Sequence, residues 1–167
     1  MIVVFTCDTT SNQFIVTPSE ITVPELLYQI NSETTTSELY ISRWIGFAEQ
    51  GNHKALMIDT AEKSYSEAYL RKYRKIYPMI GAIGKPKNYD RFIVNARAIL
   101  GFNACEDLDR ITCPTLIIGG NDDKTVGIEA SYEMKERIAG SALYVYPGLG
   151  HAAYEEAKDF NQRVYDF

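Results

Sequence analysis

The last third of the chain carries the pattern that most restricts its fold. Pro114 to Ile118 is a short apolar and β-branched run that stops at Gly119-Gly120, and Ala142 to Tyr146 is a second that stops at Pro147-Gly148. Runs of this length, bounded by turn residues, read as buried strands. Between them, Val126 to Ala139 has helical spacing. After them, Ala153, Ala157, Phe160, Val164 and Phe167 step at helical spacing to the chain end. Strand, helix, strand, helix with short connections predicts a parallel sheet covered by helices. Such a sheet gathers the loops that leave its strands' carboxyl ends along one edge, where open α/β sheets place their sites.

Two loops reach that edge. One is Asn121-Asp122-Asp123-Lys124 and the other is Leu149-Gly150-His151-Ala152. An acid on one loop and a histidine on the next can face each other. The carboxylate then fixes the imidazole tautomer and stabilises the imidazolium, which leaves the second ring nitrogen to act as a base.

Upstream the signals are helical. Thr35 and Glu38 have capping-box spacing ahead of Ile41, Trp44, Ile45 and Ala48, with Gly51 as a stop. Asn52 is placed to cap a short helix through Leu56. Ser64 and Glu67 form a second capping pair ahead of Tyr69, Tyr73, Ile76 and Tyr77, ended by Pro78. Gly81, Gly84 and Pro86 make a loop, and Asn88 is placed to cap a helix carrying Phe92, Ala96 and Ile99 that Gly101 closes. Before this helical stretch, Ile2 to Thr6 reads as a strand, Gln13 to Thr17 as a candidate second strand and Pro24 to Ile30 as a short helix. Asn31 to Thr36 resembles a linker.

With 167 residues the chain suits one domain. A formal charge of −5 and a pI near 5.1 disfavour nucleic acid and anionic membrane surfaces as partners. No apolar run approaches the roughly 18 residues of a membrane span. The apolar start lacks a basic flank and breaks at Cys7-Asp8, so no signal peptide is expected. Three irregularly spaced cysteines, Cys7, Cys105 and Cys113, suggest reduced thiols and a cytoplasmic protein. Cys7 ends a strand run but lacks the arginine that a phosphatase-like loop would place at Gln13, so it reads as structural. Cys105 and Cys113 read as packing residues. No phosphate loop, dinucleotide fingerprint or metal spacing is present, and neither cofactor nor metal is expected. His53 reads as a surface residue at a helix start. The basic residues Arg71, Lys72, Arg74, Lys75, Lys85, Lys87 and Arg91 read as a solvated helix face. Tyr65, Tyr69, Tyr73 and Tyr77 either line a pocket or pack on neighbouring helices.

Residues Ile111 to Asp123 resemble the seventh strand and acid loop of α/β-hydrolase-fold enzymes. Gly148-Leu149-Gly150-His151 resembles their histidine loop, and Ala153 to Phe167 their terminal helix. The resemblance covers 36–167 and is most specific over 111–167. It implies a partial α/β-hydrolase fold, a short parallel sheet flanked by helices with a helical lid insert. The implied parts are an N-terminal segment 1–35, a lid 36–107 and a core portion 108–167, with Ile2 to Thr6 as a candidate sixth strand. It further implies that Asp123 is the catalytic acid, with Asp122 as the alternative, and that His151 is the base. The family's nucleophile occupies a Gly-x-Ser-x-Gly elbow. No serine here fits. Ser141 follows Gly140, but Ala139 and Leu143 fill the two required glycine positions, and no cysteine or aspartate fits either.

The resemblance therefore implies a serine-type hydrolase of small ester or related acyl substrates that is incomplete in this chain. The alternatives are a non-catalytic oligomeric remnant acting as a binding or interaction module, or a piece of a longer hydrolase. Half of such a sheet leaves an open edge and an apolar face, so a homo-oligomer, a dimer, is expected.

Overall fold

The computed structural model describes residues 3–6, 36–80, 84–102 and 105–167. The expectations for Cys7, Gln13 to Thr17, Pro24 to Ile30 and the Thr35 cap lie outside the described residues. The elements are β1 (Val3–Thr6), α1 (Thr36–Glu49), α2 (His53–Ser64), α3 (Glu67–Tyr73), α4 (Tyr77–Ile80), α5 (Asp90–Leu100), β2 (Thr115–Gly120), α6 (Glu129–Arg137), β3 (Ala142–Tyr146), α7 (Ala153–Glu156) and α8 (Phe160–Asp166). Single 3₁₀ turns cover Arg74–Ile76 and Cys105–Arg110.

Among the described residues the sheet has the order β1-β2-β3. β2 and β3 pair in parallel, with Ile117 opposite Leu143 and Ile118 opposite Tyr144. This is the short parallel pairing between helices that the sequence predicts. β2 is buried along its whole length, and its alternate side chains feed two cores. Ile117 packs with Leu108, Ala130, Met134 and Ile138 under α6. Leu116 and Ile118 pack on the other face with Tyr146, Ala153 and Phe160, under α7 and α8. A strand covered on both faces must be apolar throughout, which is why it reads as an unbroken run.

β1 lies beside β2 as a sixth strand would, but it runs antiparallel, with Val4 opposite Ile117 and Thr6 opposite Thr115. Either direction satisfies the amides on the β2 edge, and the alternation of side chains between the two faces of a strand is the same read both ways. Local sequence therefore carries no information on its direction.

The helical stretch has its own core. Ile41 and Ile45 of α1 meet Ala96 of α5, with Trp44, Phe92 and Ile99 packed around them. Asn52 caps α2 as expected, its Oδ1 accepting the Ala55 N–H at 3.2 Å. Other boundaries differ from the sequence reading. The cap of α3 is Ser66, whose Oγ accepts the Tyr69 N–H at 3.2 Å, while Ser64 is the last residue of α2. Pro78 does not end a helix. It sits in the first turn of α4, where its missing N–H costs nothing. α5 starts after Tyr89 with no side-chain cap, so Asn88 does not cap it. The terminal helix is broken into α7 and α8. Ala153, Ala157, Phe160 and Val164 still face one core across the break, while Phe167 is exposed. No helix among the described residues is long and apolar enough to cross a membrane.

Gly120 marks the end of β2 and tolerates no side chain. A Cβ there would lie 2.3 Å from the Leu149 carbonyl oxygen and 2.5 Å from that of Gly150. At Gly119 the obstacle is the Ser131 hydroxyl at 2.7 Å, the tip of a side chain that can rotate. Overpacking against backbone costs about 1–3 kcal/mol or more. Urea denaturation of Gly120→Ala should show a loss in that range, and a larger loss than that of Gly119→Ala. Equal losses would contradict this packing.

Candidate functional site

The loops after β2 and β3 are stitched together by backbone bonds. The Asn121 N–H donates to the Tyr146 carbonyl at 3.1 Å and the Asp122 N–H to the Leu149 carbonyl at 2.9 Å. Asn121 Oδ1 accepts the Gly148 N–H at 2.6 Å. With the loops held this way, Asp123 and His151 meet.

Asp123 is buried and uses both carboxylate oxygens. Oδ1 accepts the N–H groups of Thr125 at 2.8 Å and Val126 at 3.0 Å, which fixes the carboxylate plane. Oδ2 accepts a hydrogen bond from His151 Nδ1 at 2.8 Å. Facing a carboxylate, Nδ1 must carry the proton, so the basic lone pair lies on Nε2. Burial alone would raise the Asp123 carboxyl. The hydrogen bond from His151, the attraction to its ring and the Val126 amide outweigh burial and hold it down to about 2. Burial pushes the His151 imidazole below its usual value, and Asp123 opposes only part of that shift. At neutral pH the pair is therefore a carboxylate and a neutral imidazole. Asp122 is exposed, and Asp123 is the acid on His151.

The histidine loop is also pinned to the helical segment. The Ala152 N–H donates to the Ser64 carbonyl at 2.8 Å. A Cβ on Gly150 would lie 2.6 Å from that same carbonyl oxygen, so the approach needs glycine. Beyond the histidine, the Glu156 carboxylate accepts from both Ser66 groups, the N–H at 2.9 Å and the hydroxyl. The Tyr65 hydroxyl donates to Glu155 at 2.6 Å. Ser66 and Glu156 escaped the sequence reading. Ser66 carries a local capping signal, but its acidic partner lies far along the chain.

Between the helices and the loops lies a cavity of about 290 Å³. Among the described residues, α1, α2 and α5 form its roof, and Thr125, Val126 and His151 line its floor. None of the four tyrosines singled out in the sequence lines it. Tyr65, just before α3, stacks on Tyr69 with centroids 4.4 Å apart, Tyr69 meets Tyr73 at a tilt with centroids 4.3 Å apart, and Tyr77 donates to Glu62. His53 is not a surface residue. It is buried, with Nδ1 2.8 Å from the Tyr89 hydroxyl, a contact that ties the start of α2 to the start of α5. Of the basic residues, Arg74 bonds both Glu62 and Glu67 and Arg71 bonds Glu67 on the helix surface. Cys105 packs against the α6 core. Among the described residues no cluster of histidine, cysteine or carboxylate side chains could hold a metal ion.

A model of the alpha/beta hydrolase fold family matches residues 10–158, and the chain belongs to that family. The match begins upstream of residue 36, where the resemblance read from the sequence starts. A 2-hydroxy-6-oxononadienedioate/2-hydroxy-6-oxononatrienedioate hydrolase of Klebsiella pneumoniae is 43% identical over 61 residues, which is 36% of this chain and 21% of that protein. A hydrolase of the same name from Cupriavidus pinatubonensis is 38% identical over 61 residues, again 36% of this chain and 21% of that protein. The alpha/beta hydrolase MGS-M2 from a deep-sea metagenome superposes with a TM-score of 0.70 at 20% identity, covering 81% of this chain and 51% of that one. The enol-lactonase of Burkholderia xenovorans superposes with a TM-score of 0.65 at 19% identity, covering 77% and 49%. The chain thus spans about half the length of these solved relatives.

The electrostatics give a signed expectation. In an NMR titration the His151 ring should titrate below 6.5, and Asp123→Asn should move the midpoint lower still, because the carboxylate is the influence that raises it. Asp123 is depressed from 3.8 to about 2, so the stability it contributes is present above pH 3.8 and is lost as pH falls through about 2. The stability gap between the parent and Asp123→Asn should close across that window. A gap independent of pH would contradict the assignment.

Proposed function

We propose that this chain provides the acid, the base and a lid of an α/β-hydrolase acting on small ester or related acyl substrates. The single observation that carries this reading is the 2.8 Å bond from His151 Nδ1 to a buried Asp123 carboxylate beside a cavity that His151 itself lines. In this reading Nε2 of His151 takes the proton of an attacking hydroxyl as that oxygen bonds to the acyl carbon. The imidazolium then returns the proton to the leaving oxygen as its bond to carbon breaks. Asp123 remains ionised throughout and stabilises the imidazolium between the two transfers. The helices of 36–107 act as the lid, and residues 108–167 are the core portion. The nucleophile and the oxyanion hole come from polypeptide outside these residues, since no serine, cysteine or aspartate here stands in the required glycine elbow. The curated relatives bear the names of hydrolases and the solved ones include a lactonase, which supports acyl-group hydrolysis as a class, without extending those relatives' dicarboxylate substrates to this chain.

The missing elbow also favours a second reading, a non-catalytic module that keeps the lid and the acid–base pair without chemistry. Turnover of p-nitrophenyl butyrate by the chain and by His151→Ala separates the two. General acid–base catalysis is worth about 10²–10⁴-fold in complete sites. Residual turnover at least about tenfold above the variant is expected if the pair does this work. Equal rates would remove the catalytic reading and leave the binding module.

Pairing with a second copy fits the same architecture. Among the described residues the sheet is three-stranded, with β1 and β3 as its outer strands, and Leu39 and Val94 on the packed pair α1 and α5 are exposed. Light scattering on an eluting peak at micromolar concentration should give the mass of a dimer. A monomer mass would end this reading. The odd cysteine count is the support for a reducing, cytoplasmic setting.

A further inference from the structure

We propose that the cavity beside His151 takes an uncharged, apolar acyl group, a ring or a short branched chain, and rejects an acyl group that ends in a second carboxylate. The inference rests on reading His151 as the reacting base, and it names the substrate class of that site.

The walls carry the argument. Ile41, Trp44, Phe92, Ala96, Ile99 and Val126 give the cavity an almost wholly apolar lining, and no described lining residue is lysine or arginine. Two cations that neighbour lining residues in the chain are engaged elsewhere. Arg43, next to Trp44 in the chain, pairs with Asp59 at 3.4 Å on the surface. Lys63, next to Ser64, stands over the Tyr40 ring with its ammonium 4.5 Å from the centroid.

Three polar groups of the wall are also committed. The Trp44 indole N–H donates to Asp59 at 2.8 Å, the Thr60 hydroxyl to the Leu56 carbonyl at 2.8 Å and the Thr125 hydroxyl to the Lys63 carbonyl at 3.4 Å. A carboxylate driven into this space would lose its water and find no cation in exchange, which is among the costliest burials available. A neutral hydrocarbon group meets the opposite balance, since each apolar contact it makes with these walls is favourable. The volume is adequate. An apolar cavity of roughly 150 Å³ is enough to bind benzene, so about 290 Å³ accommodates a ring with a short extension. Ser64, Asn95 and His151 are the other polar residues of the lining.

Trp44 is the single tryptophan of the chain and lines the cavity, so its emission reports on this wall. The test titrates the chain with cyclohexyl methyl ketone, a neutral probe that carries an apolar group on a carbonyl, and separately with adipate at pH 7. A saturable change in emission with the ketone, at least tenfold tighter than any response to adipate, is expected. Thr60→Lys should bring adipate binding up at least tenfold while weakening the ketone, because it puts one cation on the wall. Ala96→Phe and Val126→Phe fill the cavity from the roof and from the floor, so whichever of them folds by circular dichroism should lose the ketone response. The proposal is overturned if the parent shows no saturable response to the ketone, or if adipate binds as tightly. The readout needs no turnover. Failure of ester hydrolysis with ketone binding intact would sink the catalytic reading alone, and the reverse result would sink the substrate class alone.

Discussion

The Leu149 carbonyl lies 2.3 Å from where a Cβ on residue 120 would stand. The histidine loop therefore rests on the end of β2 only because that end is glycine. The dependence spreads outward from this contact. The parallel pairing of β2 with β3 brings both carboxyl ends to one edge. The close approach at Gly120 then lets Asn121 and Asp122 bond to the second loop, and those bonds set the distance at which Asp123 meets His151. A loop raised by one side chain would separate the acid from the base without altering either residue.

A second close approach joins the site to its roof. Gly150 packs on the Ser64 carbonyl, which also accepts the Ala152 N–H, so the residues on both sides of His151 are held by the end of α2. Ser64 itself lines the cavity. The same short segment thus holds the histidine loop through its backbone and also borders the cavity. Glu156 closes the arrangement by bonding the capping residue of α3, and a charged acceptor makes these bonds stronger than neutral ones. The rigidity of the imidazole is in this sense a property of the helical segment as much as of the sheet.

Much of this was legible in the residues. The run at Leu116 to Ile118, the acid loop and the glycine-flanked histidine all stand in local patterns, while the preference for Asp123 over Asp122 came with the family resemblance. The misreadings have a common physical origin. His53 occupies a polar local context, yet a tyrosine 36 residues away covers it. Ser64 and Ser66 both precede plausible helix starts, and the choice between them falls to contacts with the distant Glu156. The tyrosines at helical spacing fit a pocket wall and a stacked ladder equally well until the neighbours of α3 are known.

By itself the sequence determined which segments are strands and which are helices, and that an acid and a histidine leave adjacent strands, although of the two strands read as buried only β2 is buried throughout and β3 is half-buried. Those features depend on residues a few positions apart, where periodicity, capping and glycine geometry act. Only the tertiary structure decided the direction of β1, the burial of His53 and the grip of Ser66 and Glu156 on either side of the histidine loop. It also decided that the described residues of the roof over His151 are mostly apolar and include no lysine or arginine. Each of these depends on which surfaces meet, and the Ser66–Glu156 contact alone spans 90 positions. Contacts at that range are selected by the packing of whole elements, and no local pattern encodes them.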